Sequence, residues 1–205
     1  MSGAAKDSKA GRHRAKMAKR KAAQDAEVAA KTIEKSLLIV HTGTGKGKST
    51  AAFGLALRML GRGHRVGVVQ FVKGAWHSAE RDALAAFGDR VSWHTMGEGF
   101  TWETQDLERD IAAAERAWAK TTEIMADPTF ALVILDEINI ALRYEYLDLH
   151  AVVAALKGRR SGLHVVVTGR NAKPEMIAAA DLVTEMTLVK HHFAAGVKAQ
   201  PGIEF

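Results

Sequence analysis

Cysteine is absent from the 205-residue chain, and only three residues are proline and 6% are aromatic. Without cysteine the protein has no disulfide framework, no thiolate metal site and no cysteine nucleophile. No apolar run approaches the roughly 20 residues that a helix needs to cross a bilayer. The basic N-terminus is followed by no apolar stretch of the kind found in a secretory signal. We therefore expect no membrane partner and a cytoplasmic location.

The positive charge of the chain is confined to its N-terminal part. The net charge is +6, yet residues 1–35 contain 10 Lys or Arg and 4 Asp or Glu, and residues 36–205 contain 19 of each. A near-neutral domain is a weak candidate for nucleic-acid binding. With 47% hydrophobic residues, the chain can bury a sizeable core. We predict a basic arm at residues 1–35 and one globular domain at residues 36–205.

The basic arm is rich in Lys, Arg and Ala and has few large apolar residues before Asp25. Such a segment is solvated and mostly disordered in isolation. Its alanines and lysines allow a helix from about Met17 to Ile33 on a partner surface. Three roles stay open: a dispensable tail, a tether for RNA or DNA, and a segment that orders against its own or a neighbouring subunit.

The glycine-rich stretch at residues 41–50 is the most informative part of the chain. It follows an apolar run at residues 37–40, which predicts a buried strand, and precedes residues 51–57, which predict a helix. A glycine-rich loop between strand and helix is typical of a phosphate-binding loop. Glycine backbones allow successive N–H groups to converge on one anion, and the start of the helix adds further unpaired N–H groups.

Side chains in this loop predict what it binds. We expect Lys48 to reach the oxygens of ATP or another triphosphate and the Ser49 hydroxyl to ligate Mg²⁺. An ordinary glycine-rich turn is the alternative, and the Gly-Lys-Ser sequence disfavours it. Thr42 stands where the consensus has its first glycine. The other predicted nucleotide contacts are Gly43, Thr44, Gly45, Gly47 and Thr50.

A second nucleotide motif is predicted where the apolar run at residues 130–135 ends in two carboxylates, Asp136 and Glu137. Downstream of a phosphate-binding loop, such a strand carries the acid that helps to hold Mg²⁺. We expect both carboxylates at the metal site beside Ser49. Glu137 is also placed to position an attacking water if the chemistry is hydrolysis.

Apolar strands alternate with helical patterns through the domain. This order predicts an α/β fold of the P-loop NTPase (RecA-like) type, with a mostly parallel, doubly wound sheet and helices on both faces. The tail at residues 189–205 has apolar residues to its last position, so we expect it to dock on the domain. The predicted strands cover residues 37–40, 66–72, 91–94, 130–135, 163–168 and 181–186, and the predicted helices cover residues 51–60, 79–87, 103–126, 149–156 and 174–180.

The segment at residues 96–102 contains two glycines and two large aromatics, Phe100 and Trp102. Aromatic side chains in a loop either fix the loop to the core or present a face to a ligand. Their spacing alone favours the first interpretation.

The stretch at residues 42–54, Thr-Gly-Thr-Gly-Lys-Gly-Lys-Ser-Thr-Ala-Ala-Phe-Gly, resembles the phosphate-binding loop of the ATP:corrinoid adenosyltransferases. Threonine in the first position is that family's own form. Six separated stretches match in the same order, and the resemblance spans roughly residues 36–205. The other matching stretches are residues 67–74, 96–102, 135–137, 167–170 and 189–200.

The resemblance implies a reaction at carbon. Co(I) of a reduced corrinoid attacks the 5′-carbon of ATP, and the triphosphate leaves. In similar enzymes two aromatics approach the lower face of the corrin and displace its axial ligand; by position these are Phe100 and Trp102. The resemblance also implies a catalytic role for Lys48, a phosphate contact by Lys46, a homodimer, a flavoprotein reductant, and an N-terminal arm that covers the site as a helix. Arg58 is a further candidate for a phosphate contact, because it lies near the loop in sequence.

Two other classes of protein remain open. A P-loop ATPase that uses its basic arm to engage nucleic acid predicts phosphate release stimulated by DNA or RNA. A nucleotide-dependent binding module predicts affinity for ATP without turnover.

Overall fold

The computed structural model describes residues 8–72, 78–97 and 106–204, and the chain forms two compact units, residues 1–35 and residues 36–205. The first unit contains helix α1 (Lys9–Ala29), none of whose residues is buried. The Ser8 hydroxyl caps the helix by accepting a hydrogen bond from the Gly11 N–H at 3.0 Å. The helix begins well before the predicted start at Met17, because Ser8 supplies a cap and Ala, Lys and Arg favour helix.

The second unit is built on a six-stranded sheet in the order β3-β2-β4-β5-β1-β6. Every neighbouring pair is parallel. The near-continuous apolar runs suit strands that are covered on both faces. The strands are β1 (Leu38–Thr42), β2 (Arg65–Gln70), β3 (Val91–Thr95), β4 (Phe130–Asp136), β5 (His164–Thr168) and β6 (Leu182–Glu185).

Among the described residues of the second unit, six helices connect these strands. One of them, α5, was not predicted, because its six residues are too few to display the 3.6-residue period and Glu137 at its start makes no side-chain cap. The equally short α7 is marked by Pro174 at its start. Helix α2 ends as expected at a glycine turn, where Gly63 adopts a left-handed φ of 82°. The helices are α2 (Lys48–Gly61), α3 (Ala79–Ala85), α4 (Leu107–Ala126), α5 (Ile138–Arg143), α6 (Leu149–Lys157) and α7 (Pro174–Ala179).

The sheet separates two hydrophobic clusters. Side chains alternate between its faces, so Ile39 packs with Phe53 and Leu60 of α2, whereas Val40 belongs to the cluster on the other face. That second cluster includes residues of α4, α5 and α6, and the half-buried Trp118 packs against it. The predicted α/β fold with helices on both faces is therefore confirmed. In the described part of the chain, no helix is long and apolar enough to cross a membrane.

The C-terminal tail does not dock through its apolar residues, so that expectation was wrong. Val189 is 91% exposed, Phe193 70% and Ile203 76%. A polar contact does join the tail to the domain: the Glu204 carboxylate pairs with Lys46, and it also lies 3.2 Å from Nε2 of His192.

Three histidines of the sheet have a lowered pKa, which favours the neutral form. Burial lowers the pKa of His41, His94 and His164 below the ordinary value, because it disfavours the charged imidazolium. Lys120 lowers the pKa of His94 further. Nδ1 of His164 accepts a hydrogen bond from the Leu37 N–H at 3.1 Å, which requires an unprotonated nitrogen.

These histidines predict a loss of stability in mild acid. The unfolded chain binds protons near pH ~6.5, where the folded chain does not, so stability is complete above that pH and falls below it. We expect the thermal midpoint to fall between pH ~7.5 and ~5.5. His164→Asn should reduce this pH dependence, whereas His150→Asn, at an exposed position of α6, should not. Equal pH slopes for wild type and His164→Asn would contradict the prediction.

Candidate active site

The glycine-rich loop between β1 and α2 packs against the chain that follows β6. Gly43 has a φ of 95°, and a Cβ there would lie 2.4 Å from the Met186 carbonyl oxygen. At Gly45 a Cβ would lie 2.8 Å from the same oxygen. The Gly45 N–H donates to that oxygen at 2.6 Å, and the Met186 N–H donates to the Thr42 carbonyl at 2.9 Å. Glycine is required at both loop positions because any side chain would displace the loop.

Threonine is accommodated at position 42 because that residue still belongs to β1. Its side chain is 5% exposed, and its hydroxyl accepts a hydrogen bond from the Ala172 N–H at 3.0 Å. Thr42 therefore ties the start of the loop to the segment after β5. A glycine at this position could not accept this hydrogen bond.

Lys48 lies inside the loop, where it is 6% exposed. Its ammonium donates to the carbonyl oxygens of Gly43 at 3.1 Å and Gly45 at 2.6 Å. Burial lowers the pKa of Lys48; Arg170 and Lys46 act in the same direction, and Glu137 opposes them. Since a lowered pKa means that the charged form is under-compensated, a polyanion bound here would stabilise it.

The start of α2 is also suited to an anion. Gly47, at its N-cap, has a φ of 103° and offers no side-chain cap, and none of the first-turn residues is acidic. The first backbone N–H groups of a helix have no partner within the helix. In a 14-residue helix they form an anion site together with the helix dipole.

Ser49 and Asp136 meet as predicted. The Ser49 hydroxyl donates to Oδ1 of Asp136 at 2.7 Å, although 87 residues separate them. Asp136 is fully buried and accepts two further hydrogen bonds, from the Thr168 hydroxyl at 2.9 Å and the Gln70 amide at 2.9 Å. Hydroxyl and carboxylate oxygens side by side are ligands that suit Mg²⁺.

Glu137 lies next to this pair in a left-handed conformation, with a φ of 63°. Its N–H donates to the Thr168 hydroxyl at 2.9 Å. Because its charge raises the pKa of Lys48, its carboxylate acts on the same loop. A non-glycine residue with positive φ at the end of a strand is the kind of local strain found at functional sites.

Other predicted site residues are placed differently. Thr44, Lys46 and Thr50 are exposed on the loop and at the start of α2. Arg58 is exposed in the last turn of α2, about 15 Å along the axis from Lys48 at 1.5 Å per residue. The structure therefore does not bring Arg58 to the nucleotide loop, since a short distance in sequence becomes a long one along a helix. Phe100 and Trp102 lie outside the described residues.

Sequence reasoning missed several polar residues that surround Asp136. In register, Gln70 pairs with Thr95 on one side and with Asp136 on the other, and Thr168 follows the pair of Leu135 and Val167. Each residue stands at the carboxyl end of an apolar strand, which is the signal that would have found them. We call this set, Thr95, Gln70, Asp136 and Thr168, the polar row. Arg170, just beyond β5, is a further residue that acts on Lys48.

Known proteins with similar sequences identify the family of this chain. The model of the family ATP:corrinoid adenosyltransferase BtuR/CobO/CobP matches residues 34–205. The chain belongs to this family. A second model, cob(I)alamin adenosyltransferase N terminal, matches residues 4–28, within the basic arm. The resemblance predicted from the short motifs is confirmed.

Curated relatives of this adenosyltransferase extend over nearly its whole length. A corrinoid adenosyltransferase of Pseudomonas aeruginosa is 55% identical over 194 residues, which is 95% of this chain and 96% of that protein. One from a Sinorhizobium species is 55% identical over 196 residues, 95% and 92% of the two chains. Corrinoid adenosyltransferase CobA of Salmonella typhimurium is 46% identical over 181 residues, 88% and 91% of the two chains.

The contact between Lys46 and Glu204 predicts a competition with nucleotide. If Lys46 binds phosphate, ATP must displace the Glu204 carboxylate, and Glu204→Gln should tighten ATP binding. The expected gain is modest, up to about fivefold, because ion pairs at the protein surface contribute little. Titration with ATP would measure it, with Glu175→Gln, an exposed carboxylate of α7, as the control. Weaker or unchanged ATP binding by Glu204→Gln would contradict the competition.

Proposed function

We propose that this chain transfers the 5′-deoxyadenosyl group of ATP to the Co(I) centre of a corrinoid and releases triphosphate, as a step in adenosylcobalamin biosynthesis or salvage. The observation that carries the proposal is a phosphate-binding loop with Lys48 and the Ser49–Asp136 pair, in a chain that belongs to the ATP:corrinoid adenosyltransferase family. The alternative, an ATPase that engages nucleic acid through its arm, is not favoured by the relatives.

The residues present suit this chemistry. The electron pair of Co(I) forms the cobalt–carbon bond while the bond from the 5′-carbon to oxygen breaks, and the triphosphate keeps that bond's electrons. Because the substrate supplies the nucleophile, the protein needs neither a general base nor a nucleophilic side chain. It must hold the reactants in line and neutralise the leaving group. The loop N–H groups and Lys48 perform the second task.

We propose that Ser49 and Asp136 hold Mg²⁺ beside the loop, with Glu137 as a neighbouring carboxylate. The fit rests on two hard oxygen atoms 2.7 Å apart at the start of α2. When bound, Mg²⁺ would neutralise part of the triphosphate charge. The other proposed nucleotide contacts are Gly43, Thr44, Gly45, Lys46, Gly47 and Thr50.

Further proposals rest on the family resemblance. Phe100 and Trp102 would contact the corrinoid and ease reduction of Co(II), with a flavoprotein as the electron donor. Residues 1–35 would form a conditionally helical arm and residues 36–205 the catalytic domain of a cytoplasmic homodimer. The helix α1 and the match of residues 4–28 to an adenosyltransferase N-terminal model support the arm as a feature of this family.

The reaction itself can be tested directly. With ATP, Mg²⁺ and chemically reduced corrinoid, we expect a light-sensitive alkyl-cobalt spectrum and one triphosphate per corrinoid. Lys48→Ala should lower the rate about 100-fold or more, because a donor to the leaving group is lost. Lys157→Ala, at an exposed position of α6, is the matched control. Steady phosphate release without corrinoid, stimulated by DNA or RNA, would favour the ATPase instead.

The role proposed for the segment at residues 96–102 predicts that a substitution there impairs adenosylation of Co(II) corrinoid and not ATP binding. Trp102→Ala should leave ATP affinity unchanged and strongly reduce adenosylation of Co(II) corrinoid supplied with a physiological reductant. Adenosylation of chemically prepared Co(I) corrinoid should be less affected, because the reduction step is bypassed. Unchanged turnover with Co(II) corrinoid would remove the role assigned to Trp102.

A further inference from the structure

Gln70 occupies the middle of the polar row, between the edge strand β3 and the strand that carries Asp136. It is 2% exposed. Residues two positions earlier on these strands, Trp93, Val68 and Ile134, pack in the cluster beneath α2. Since side chains alternate along a strand, the polar row lies on that same face, at the end of the sheet where α2 begins.

The amide of Gln70 can take only one orientation. Its Oε1 accepts hydrogen bonds from Nε1 of Trp93 at 3.1 Å and from the Thr95 hydroxyl at 3.0 Å. An indole N–H is only a donor, so the amide oxygen must face Trp93. Nε2 is thereby directed to Oδ2 of Asp136, at 2.9 Å.

This leaves the two oxygens of Asp136 with different partners. Oδ2 accepts from Gln70, while Oδ1 accepts from the hydroxyls of Ser49 at 2.7 Å and Thr168 at 2.9 Å. Gln70 thus fixes the rotation of the carboxylate and leaves Oδ1 directed at Ser49. A carboxylate held by an amide on one side presents a defined oxygen on the other.

The backbone of Gln70 holds a second part of the site. Its carbonyl oxygen accepts hydrogen bonds from the N–H groups of Met96 at 3.1 Å and Gly97 at 3.3 Å. These residues begin the segment that carries Phe100 and Trp102. A Cβ at Gly97 would lie 2.6 Å from the Phe71 carbonyl oxygen, so this segment starts in close contact with the end of β2.

We propose that Gln70 is a positioning residue that holds the Asp136 carboxylate for the metal site and anchors the start of the segment at residues 96–102. Gln70 thereby couples the nucleotide end of the site to residues 96 and 97: its side chain joins Asp136 to Thr95, the last residue of β3, and its carbonyl oxygen holds Met96 and Gly97. The role rests on the proposed function, because it assumes that Asp136 takes part in binding MgATP.

Gln70→Met is the main test, because it keeps the length of the side chain and removes both polar groups. With Mn²⁺ as the probe, we expect the affinity of the ATP complex for metal to fall about tenfold or more, as for a lost hydrogen bond to a charged group. Binding of ATP in EDTA should change less than twofold. Thr122→Met, at an exposed position of α4, is the control and should leave the metal affinity unchanged.

A double-mutant cycle separates positioning from general damage. In an Asp136→Asn background, Gln70→Met should change the Mn²⁺ affinity less than twofold, because the carboxylate it positions is gone. An equal loss in both backgrounds, or no loss in the single variant, would overturn the proposal. If Gln70→Met does not fold, Thr95→Val removes one bond to Oε1 at nearly constant volume and should weaken Mn²⁺ binding two- to threefold; no loss would again overturn it.

Hydrogen exchange tests the coupling. In wild type, binding of Mn²⁺ and ATP should slow exchange of the amides at residues 96 and 97 several-fold, and Gln70→Met should abolish this slowing. No slowing in wild type, or equal slowing in the variant, would overturn the coupling. These measurements use no corrinoid. A wild type that binds MnATP as described but forms no alkyl-cobalt product would overturn the proposed function alone.

Discussion

A fully buried carboxylate at the end of the central strand is the constraint on which this site depends. An ionised group without solvent must be compensated by hydrogen bonds or opposite charge, because the cost of burying it alone is very large. Asp136 meets this requirement with three donors from three other elements: Gln70 from β2, Ser49 from α2 and Thr168 from β5. The requirement therefore fixes the distance of α2 from the sheet and, with it, the shape of the nucleotide loop.

In the loop the situation is the opposite of that at Asp136: the Lys48 ammonium is buried without a full counter-charge. Lys48 is bound by two carbonyl oxygens, and its pKa is lowered by burial and by the neighbouring Arg170 and Lys46, which Glu137 only partly offsets. A site that already contains the positive charge, and whose donors are fixed by the loop, needs little rearrangement to stabilise a polyanionic leaving group. This preorganisation is the largest contribution that a protein makes when the substrate supplies the nucleophile.

The sequence alone was enough to predict the parts of the site that adjacent residues form. It was not enough to predict the parts that depend on the order of the strands in the sheet. The loop at residues 41–50 and the carboxylate at the end of β4 are local signals. Gln70 is 66 residues from Asp136, and the two meet only because β2 and β4 are neighbours, which no local pattern indicates. Arg58 shows the opposite effect: it is close to the loop in sequence but lies in the last turn of α2, far from Lys48 along the helix axis. The prediction that the tail docks through its apolar residues was wrong, because composition does not reveal the contact between Glu204 and Lys46.

The strand order sets the distance between the two subsites that the proposed reaction requires. The nucleotide loop follows β1, and the segment with Phe100 and Trp102 follows β3, with three strands between them. At about 4.8 Å per strand, the two strand ends lie about 19 Å apart. The proposed reaction requires the triphosphate at one end, a large ring at the other and the ribose carbon between them. The polar row crosses most of this interval, from β3 to β5, on the face where α2 begins, so the same hydrogen bonds that orient the Asp136 carboxylate also join the strands between the two proposed subsites.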